Sequence, residues 1–205
     1  LIGSTTPGDS TSWNDLSEEG GYAISSIQGI RSARNASDPY ILCGTGKEGN
    51  APQNIGVVSL GDADGSGEWF TVNAATAFGG DSSAITSCYG PEQLDANTIR
   101  LVGSYNSNGD FPPTNTSAFI YTGAIDQANG TTEGFTEYQH PNATWTFFHS
   151  TQEGLVVGNW DNTVTIPDTN RPIIGTGRAF IYEVSSGLSI ADIAYPGSKS
   201  TTAYG

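Results

Sequence analysis

Several features that would point to a familiar function are scarce or missing in this chain. The 205 residues contain no methionine, and lysine and arginine together number 7 against 21 aspartates and glutamates. A chain without an initiator methionine is expected to be processed or to be a piece of something longer. The formal net charge of −14 disfavours a nucleic-acid partner and an anionic membrane surface, because both need clustered lysine and arginine. No apolar run approaches the roughly 18 residues that span a bilayer.

The common sequence signatures of catalysis are also missing. His140 and His149 are the two histidines, and neither belongs to a pattern typical of a zinc site. No Gly-x-Ser-x-Gly motif marks a hydrolase nucleophile, and the glycine-rich stretch FGGDSS (78–83) lacks the lysine that binds phosphate. Glycoside hydrolysis would need two carboxylates facing each other across a cleft, which no local motif indicates.

The chain does contain many short apolar runs separated by glycine, asparagine, aspartate, serine and proline. No stretch keeps an apolar period of 3.6 residues, so the sequence predicts an all-β protein. The predicted strands fall in three sets. The first set is PYILCGTG (39–46), NIGVVSLG (54–61) and EWFTVNAA (68–75), and the second is TIRLVGSY (98–105), SAFIYTGAI (117–125) and GFTEYQ (134–139). The third is EGLVVGNW (153–160), RAFIYEVSS (178–186) and SIADIAY (189–195).

The three sets are copies of one unit. The segments CGTG, VGSY and VGNW align and place Gly44, Gly103 and Gly158 in register, and AFIY occurs in both the second and the third set. A further strand precedes each set, as SIQGI, TSCYG and TFFHS, and TTAYG begins another, with spacings of 55 to 62 residues. Units of about four strands predict a propeller-like array of four-stranded antiparallel blades, with three blades plus the first strand of a fourth.

The predicted organisation is a polar, irregular lead-in followed by repeats. The lead-in covers residues 1–22, and the units cover 23–82, 83–143 and 144–200, with 201–205 opening a further unit. Three blades cannot close a ring without exposing apolar faces. We therefore expect further blades, supplied by the same chain or by another one.

Some of these segments resemble the HAF-type extracellular repeat. The resemblance is carried, in order, by HPNATWTFFHSTQEGLVVGNW (140–160), GRAFIY (177–182) and YPGSKSTTAYG (195–205). It covers residues 86–205 well and 23–85 weakly, and the usual histidine before Ala-Phe is replaced by Ser117 and Arg178. The resemblance implies a secreted, propeller-like protein and no established chemistry.

The stretch GDADGSGEW (61–69) is the best candidate metal site. Asp62, Asp64 and Ser66 present oxygens at alternate positions, and the carbonyl of Glu68 would join them around a calcium ion. The twelfth position of an EF-hand-type loop is Asn73 here rather than glutamate. The alternative interpretation is a plain turn, because these residues are also good turn formers.

The first strands of the units supply a second candidate site. Aligned with one another, they place Gln28, Tyr89, His149 and Tyr204 in register. The innermost strands of a propeller line its central channel, where ligands often bind. These side chains would stack on a sugar or hydrogen-bond a small polar molecule, and the alternative is packing between blades. Trp160, which follows a strand, is a further candidate for stacking on a glycan.

Cys43 and Cys88 are the two cysteines; Cys43 lies in the second predicted strand of one unit and Cys88 in the first strand of the next. An extracellular setting would join them in a disulfide if their Cα atoms lie within about 4.4–6.8 Å of each other.

The leading functional hypothesis is a non-catalytic extracellular recognition or structural module that binds a glycan or a protein and is stabilised by calcium. The alternatives are a glycan-processing enzyme with its site at a propeller mouth, and a subunit of an extracellular assembly. An enzyme would bring two or more acids within about 5–10 Å of each other, whereas a binding module would retain its ligand unchanged.

Overall fold

The computed structural model describes most of the chain. The described residues are 15–34, 39–108, 115–141, 143–166, 171–174, 177–198 and 200–204. They form three successive antiparallel sheets and a separate hairpin, which confirms the all-β prediction. No helix in these ranges is both long and apolar enough to cross a bilayer.

The first sheet has five strands in sequence order. They are β1 (Glu18–Glu19), β2 (Tyr22–Ser32), β3 (Tyr40–Glu48), β4 (Ile55–Gly61) and β5 (Glu68–Val72). The short helix α1 (Ala74–Ala77) follows, and the side chain of Asn73 caps it by accepting a hydrogen bond from the Thr76 N–H at 3.0 Å. Residues 18 and 19, predicted to be part of an irregular lead-in, thus belong to the edge of this sheet.

The middle and last sheets have four strands each. The middle sheet contains β6 (Ile85–Gln93), β7 (Ile99–Asn106), β8 (Ser117–Gly123) and β9 (Phe135–Tyr138), with a 3-10 turn at Ile125–Gln127. The last sheet contains β10 (Trp145–Gln152), β11 (Leu155–Asp161), β14 (Arg178–Glu183) and β15 (Leu188–Ile193). Between β11 and β14 lies a two-stranded hairpin of β12 (Thr163–Ile166) and β13 (Arg171–Ile174).

The sheets pack face to face, and two cores lie between them. The core between the first and middle sheets includes Ile41, Cys43, Leu101, Phe119 and Tyr121. The core between the middle and last sheets includes Val102, Ile120, Phe148, Phe180 and Tyr182. Middle-sheet side chains alternate between the two cores, as period-two strands require, so this sheet is buried on both faces.

The aligned glycines have the same structural role in every sheet. A Cβ added at Gly44 would overlap the carbonyl oxygen of Ser26, and one at Gly103 would overlap that of Ser87. Gly158 is placed in the same way against the carbonyl oxygen of Phe147. The second strand of each unit therefore needs glycine where it approaches the backbone of the first strand.

A β-bulge lies beside each of these glycines. Gly44 pairs with Ile27, Gly103 with Cys88 and Gly158 with Phe148, and in each case the register then shifts by one residue. The extra residues are Gln28, Tyr89 and His149. Because a bulge redirects the side chain of the extra residue, the repeat itself sets the direction of these three side chains.

The predicted propeller is wrong. The first sheet has five strands and forms a half-barrel, and the row of sheets does not close into a propeller. The physical reason lies in β2, whose 11 residues carry two register shifts that bend the strand. The curl packs Tyr22, Ile24 and Ile27 against Leu42, Val57 and Trp69 in a third core. Side chains of the first sheet thus fill the face that a ring would require for another blade.

The predicted first strand of a fourth blade is also wrong. Residues 201–204 have no regular secondary structure. The Thr201 N–H donates a hydrogen bond to the Gly177 carbonyl at 3.1 Å, and the Thr201 hydroxyl accepts one from the Tyr195 N–H at 3.0 Å. These local bonds hold the segment against the last sheet without the hydrogen-bonded ladder that defines a strand.

Candidate functional site

The four candidate residues from the first strands line one cavity of about 460 Å³. Gln28, Tyr89 and His149 reach it from the three bulges, and Tyr204 reaches it from the irregular segment at 200–204. The other lining residues are Phe147, Asn159, Asp161, Ser200 and Thr202. The structure thus brings together side chains that are 176 positions apart in the sequence, from 28 to 204. That they bind a ligand stays a prediction.

A chain of polar side chains forms one wall of this pocket. The Asn159 amide Nδ2 donates a hydrogen bond to Asp161 Oδ2 at 2.6 Å, and this bond fixes which way the amide points. Asn159 Oδ1 then accepts a short hydrogen bond from His149 Nε2. His149 Nε2 therefore carries the proton, and Nδ1 keeps its lone pair as an acceptor.

His149 Nδ1 is a buried atom without a hydrogen-bond partner among the described residues. A buried polar atom of this kind costs free energy, which a hydroxyl donor brought by a ligand would recover. The His149 ring that carries this atom contacts the rings of Tyr89, Phe147 and Tyr204.

Aromatic rings form the second wall. The ring of Tyr204 lies 4.4 Å from the His149 ring, centroid to centroid, and the ring of Tyr89 lies 5.3 Å from it. The Phe147 ring is stacked on the His149 ring at 6.2 Å. Tyr204 is 77% exposed, so most of its ring surface is available for further contacts. The pocket therefore offers flat apolar surface beside hydrogen-bonding groups.

Burial sets the charges in the pocket. It lowers the pKa of His149 below its ordinary value, although the bond to Asn159 opposes the shift. Burial raises the pKa of Asp161, and the hydrogen bond from Asn159 partly counteracts this. His149 is consequently neutral at pH 7, and the pocket has no positive charge among its lining residues to attract an anion.

Trp160 lies outside the pocket. Its ring is stacked on His140 at 4.6 Å with an interplanar angle of 5°, and its indole N–H donates to Asp192 Oδ1 at 3.3 Å. His140 lies 3.5 Å from the same carboxylate. Trp160 therefore packs against the core between the middle and last sheets, and the structure does not bring it to the other candidate residues.

Phe147, Asn159 and Asp161 also line the pocket, and they are not among the candidate residues predicted from the sequence. Phe147 pairs directly with Asn159, and Asp161 lies two residues further along the same strand, so all three share one sheet face. The alternation of side chains along the strand around Gly158 predicts this shared face from the sequence. The alternation does not reveal that a cavity forms over this end of the face, with Ser200, Thr202 and Tyr204 on its other side.

The GDADGSGEW loop forms a turn. Asp64 Oδ1 accepts a hydrogen bond from the Ser66 N–H at 3.0 Å, and the Gly65 N–H donates to the Asp62 carbonyl at 3.1 Å. Hydrogen bonds from Ser66 lower the pKa of Asp64. All four candidate ligands are exposed, including Glu68, and no group of three described His, Cys, Asp or Glu residues is arranged to hold a metal. Calcium binding at this loop stays a prediction.

Cys43 and Cys88 are buried neighbours in the core between the first and middle sheets. Both are free thiols in the structure. Burial and the adjacent Cys88 thiol raise the pKa of Cys43 well above its ordinary value. The structure thus brings the two side chains together, and their oxidation to a disulfide stays a prediction.

Comparisons with known proteins do not indicate a function for this chain. The sequence matches no model of a known protein family, and no curated protein is similar to it. The resemblance to the HAF-type repeat therefore rests on the quoted segments alone.

Proposed function

We propose that this protein is a non-catalytic extracellular recognition module that binds a neutral glycan in the pocket built by Gln28, Tyr89, His149 and Tyr204. The observation that carries the proposal is the convergence of three bulge residues and Tyr204 on one cavity. A repeat that points its irregular residues at one place has the geometry of a binding site rather than of a uniform packing surface.

The chemistry of the pocket suits a sugar. The rings of Tyr89, Phe147 and Tyr204 present apolar faces on which the C–H surface of a pyranose packs. Asn159, Asp161 and Gln28 offer donors and acceptors for hydroxyl groups around the same cavity. The net charge of −14 and the Asp161 carboxylate disfavour glycans that carry carboxylate or sulfate groups.

The glycan-processing alternative has less support from the geometry. Among the described residues that line the pocket, Asp161 is the single carboxylate. Glycoside hydrolysis commonly uses two carboxylates on opposite sides of the bond. A pocket with one carboxylate, itself bonded to Asn159, supports retention of a glycan without cleavage.

Calcium binding is a separate part of the proposal and has its own test. If the loop of Asp62, Asp64, Ser66 and Glu68 binds calcium, millimolar calcium should raise the melting temperature and a chelator should lower it. An Asp64→Asn variant should lose that response. A melting temperature that is the same in calcium and in chelator would assign the loop to the turn alone.

Binding to immobilised glycans tests the central proposal. We expect neutral oligosaccharides to retain the protein and to be recovered unhydrolysed, while sialylated and sulfated ones do not retain it. Tyr204→Ala should weaken retention by roughly tenfold, because it removes one stacking face. Tyr195→Ala is the matched control, since Tyr195 is 74% exposed, does not line the pocket and should bind normally. Equal loss in both variants, or no retention by any neutral glycan, would refute the proposal.

A further inference from the structure

We propose that Asp161 acts through Asn159 to hold His149 in one tautomer, so that the pocket selects ligands that present a free hydroxyl group. This selection rests on the proposed function and deepens it, because it names the chemical group by which a neutral glycan is recognised. Asp161 is in this role a positioning residue, since it orients two other side chains before any ligand arrives.

The orientation begins at a carboxylate, which can only accept hydrogen bonds. Asp161 is 4% exposed and Asn159 is 6% exposed, so water competes little for their polar atoms. The amide of an asparagine between two neutral groups can be turned end for end, but the carboxylate removes that freedom. Asn159 Nδ2 must face Asp161 Oδ2, at 2.6 Å, and Asn159 Oδ1 must then face His149 Nε2. An oxygen at this place requires a proton on Nε2 and leaves Nδ1 as an acceptor.

The backbone around Asp161 holds the carboxylate in place. A Cβ added at Gly177 would overlap Asp161 Oδ1, so the backbone of Gly177 lies directly against this oxygen. The Gly177 carbonyl accepts a hydrogen bond from the Thr201 N–H at 3.1 Å, and Thr201 belongs to the segment that carries Tyr204. Asp161 is therefore fixed by the polar wall of the pocket on one side and by the support of the 200–204 segment on the other.

The fixed tautomer leaves one acceptor of the pocket unsatisfied. His149 Nδ1 is buried and has no hydrogen-bond partner among the described residues. The ring closest to the His149 ring is that of Tyr204, at 4.4 Å between centroids. Tyr204 is 77% exposed on a segment without regular secondary structure, so its ring loses little buried surface when it shifts. A ligand hydroxyl that enters beside this ring would satisfy Nδ1.

A second side chain restricts the matching group to a hydroxyl. Ser104 Oγ donates a hydrogen bond to Tyr89 Oη at 3.2 Å, so Tyr89 accepts there and its own proton stays available to the pocket. The rings of Tyr89 and His149 are neighbours, 5.3 Å apart. A hydroxyl can donate to Nδ1 and accept from Tyr89 through one oxygen. An ether oxygen only accepts and an ammonium group only donates, so neither matches both groups.

NMR of protein labelled with 15N-histidine tests the tautomer without any ligand, and His149→Gln identifies the signals of His149. We expect wild-type His149 at neutral pH to be protonated at Nε2. Asp161→Asn keeps the shape of the side chain but lets the Asn159 amide face either way, so the His149 signals should move towards an average of the two tautomers. Asp126→Asn is the matched control, since Asp126 is exposed, does not line the pocket and should leave the signals unchanged.

Lactose, cellobiose and maltose, each compared with its fully O-methylated form, test the hydroxyl requirement. We expect at least one free disaccharide to shift the His149 Nδ1 resonance, and its O-methylated form to bind at least about tenfold more weakly, because an ether cannot donate to Nδ1. Asp161→Asn should reduce this preference several-fold. The bulk of the methyl groups acts equally on both proteins, so the change in preference between them reports the hydrogen bond.

Wild-type His149 protonated at Nδ1, or His149 signals that Asp161→Asn leaves unchanged, would overturn the proposal. An equal preference for free over O-methylated disaccharides in wild type and Asp161→Asn would overturn it too. A protein that has the expected tautomer and its dependence on Asp161, but binds none of the disaccharides, would instead refute the glycan ligand while confirming that Asp161 orients His149.

Discussion

The first and last sheets are built from the same repeat, yet they treat their outer faces in opposite ways. In the first sheet, Trp69 is 6% exposed and Leu42 is 2% exposed because the curled strand β2 packs its side chains against them. In the last sheet, Leu155 is 45% exposed and Leu188 is 62% exposed. The outer face at one end of the row is thus covered by its own residues, and the outer face at the other end presents exposed apolar side chains. The pocket is shared by all three sheets, since Gln28 and Tyr89 also line it.

The repeat alone therefore does not decide which outer face is covered. All three units have the aligned glycine and the bulge that follows it. Among the first strands of the three units, only β2 has a second register shift, between Ile24 and Ser26, which bends the first sheet over itself. A local irregularity in one strand covers the outer face at one end of the row, while the outer face at the other end stays exposed.

Truncating a buried side chain in the third core of the first sheet should give the largest loss of stability. Trp69→Ala removes the largest side chain of the third core and the bond from its indole N–H to the Gly65 carbonyl. We expect a loss of about 3–5 kcal/mol in the free energy of unfolding. Leu188→Ala in the last sheet should change it by less than about 0.5 kcal/mol. Chemical denaturation measures both, and similar losses would contradict the assignment of a covered face in the first sheet and an exposed face in the last sheet.

A disulfide between the first and middle sheets should give the next largest effect. We expect Cys43 and Cys88 to be joined in protein isolated without reductant, because the buried thiols are neighbours. Reduction of this disulfide should then lower the free energy of unfolding by about 2–4 kcal/mol. Intact mass spectrometry after alkylation under denaturing conditions distinguishes the two forms, and two alkylated thiols would show that the prediction is wrong.

Substitution of the aligned glycine of the middle sheet, Gly103, should reduce the stability of the protein. Gly103→Ala places a methyl group against the Ser87 carbonyl and the Phe119 ring, so we expect a loss of about 1–3 kcal/mol. Gly21→Ala is the comparison variant, since an added Cβ there meets nothing within 4 Å and only its φ of +87° is unfavourable. Thermal unfolding measures both changes. A smaller loss at Gly103 than at Gly21 would contradict the close approach of the strands.

Lowering the pH should slightly reduce the free energy of unfolding through the buried His149 in the pocket. Because burial lowers the pKa of His149, the unfolded chain takes up a proton below about pH 6.5 that the folded protein does not. Stability is therefore fully present above that pH and is lost as pH falls towards the lowered pKa. His149→Gln should reduce this slope, and His140, whose pKa burial also lowers, accounts for the remainder. The raised pKa of Asp161 acts in the opposite direction at lower pH.

Denaturation between pH 5 and 8 measures this slope. An identical slope in wild type and His149→Gln would contradict the assignment of a buried, neutral histidine in the pocket.

Part of the site could be predicted from the sequence because it is a property of the repeat. Aligning Gly44, Gly103 and Gly158 also aligns the bulge residues, so Gln28, Tyr89 and His149 could be chosen together. Strand type was equally accessible, since short apolar runs between turn residues determine it. These features depend on local sequence and on one close backbone approach.

The remaining features depend on long-range geometry. The bend of β2 arises where Ile24 and Ser26 shift register against β3, and no residue pattern in this stretch distinguishes it from a regular strand. That bend is why the propeller prediction failed. The importance of Asn159 and Asp161 likewise depends on long-range packing: they are 6% and 4% exposed, much as the equivalent Ser104 is 4% exposed, but they line a cavity that Ser200, Thr202 and Tyr204 help to form. Sequence indicates the face on which a side chain lies, and tertiary packing determines whether that face is covered.

The most direct test of the account is an NMR titration of the aromatic side chains with a neutral oligosaccharide that the protein retains. The ring signals of His149 and Tyr204 should shift progressively, because both rings line the pocket. The indole signal of Trp69 in the closed first sheet and the ring signals of Tyr195 should stay where they are. Shifts at Trp69 or Tyr195 without shifts at His149 and Tyr204 would contradict the claim that the repeated bulges build the binding site.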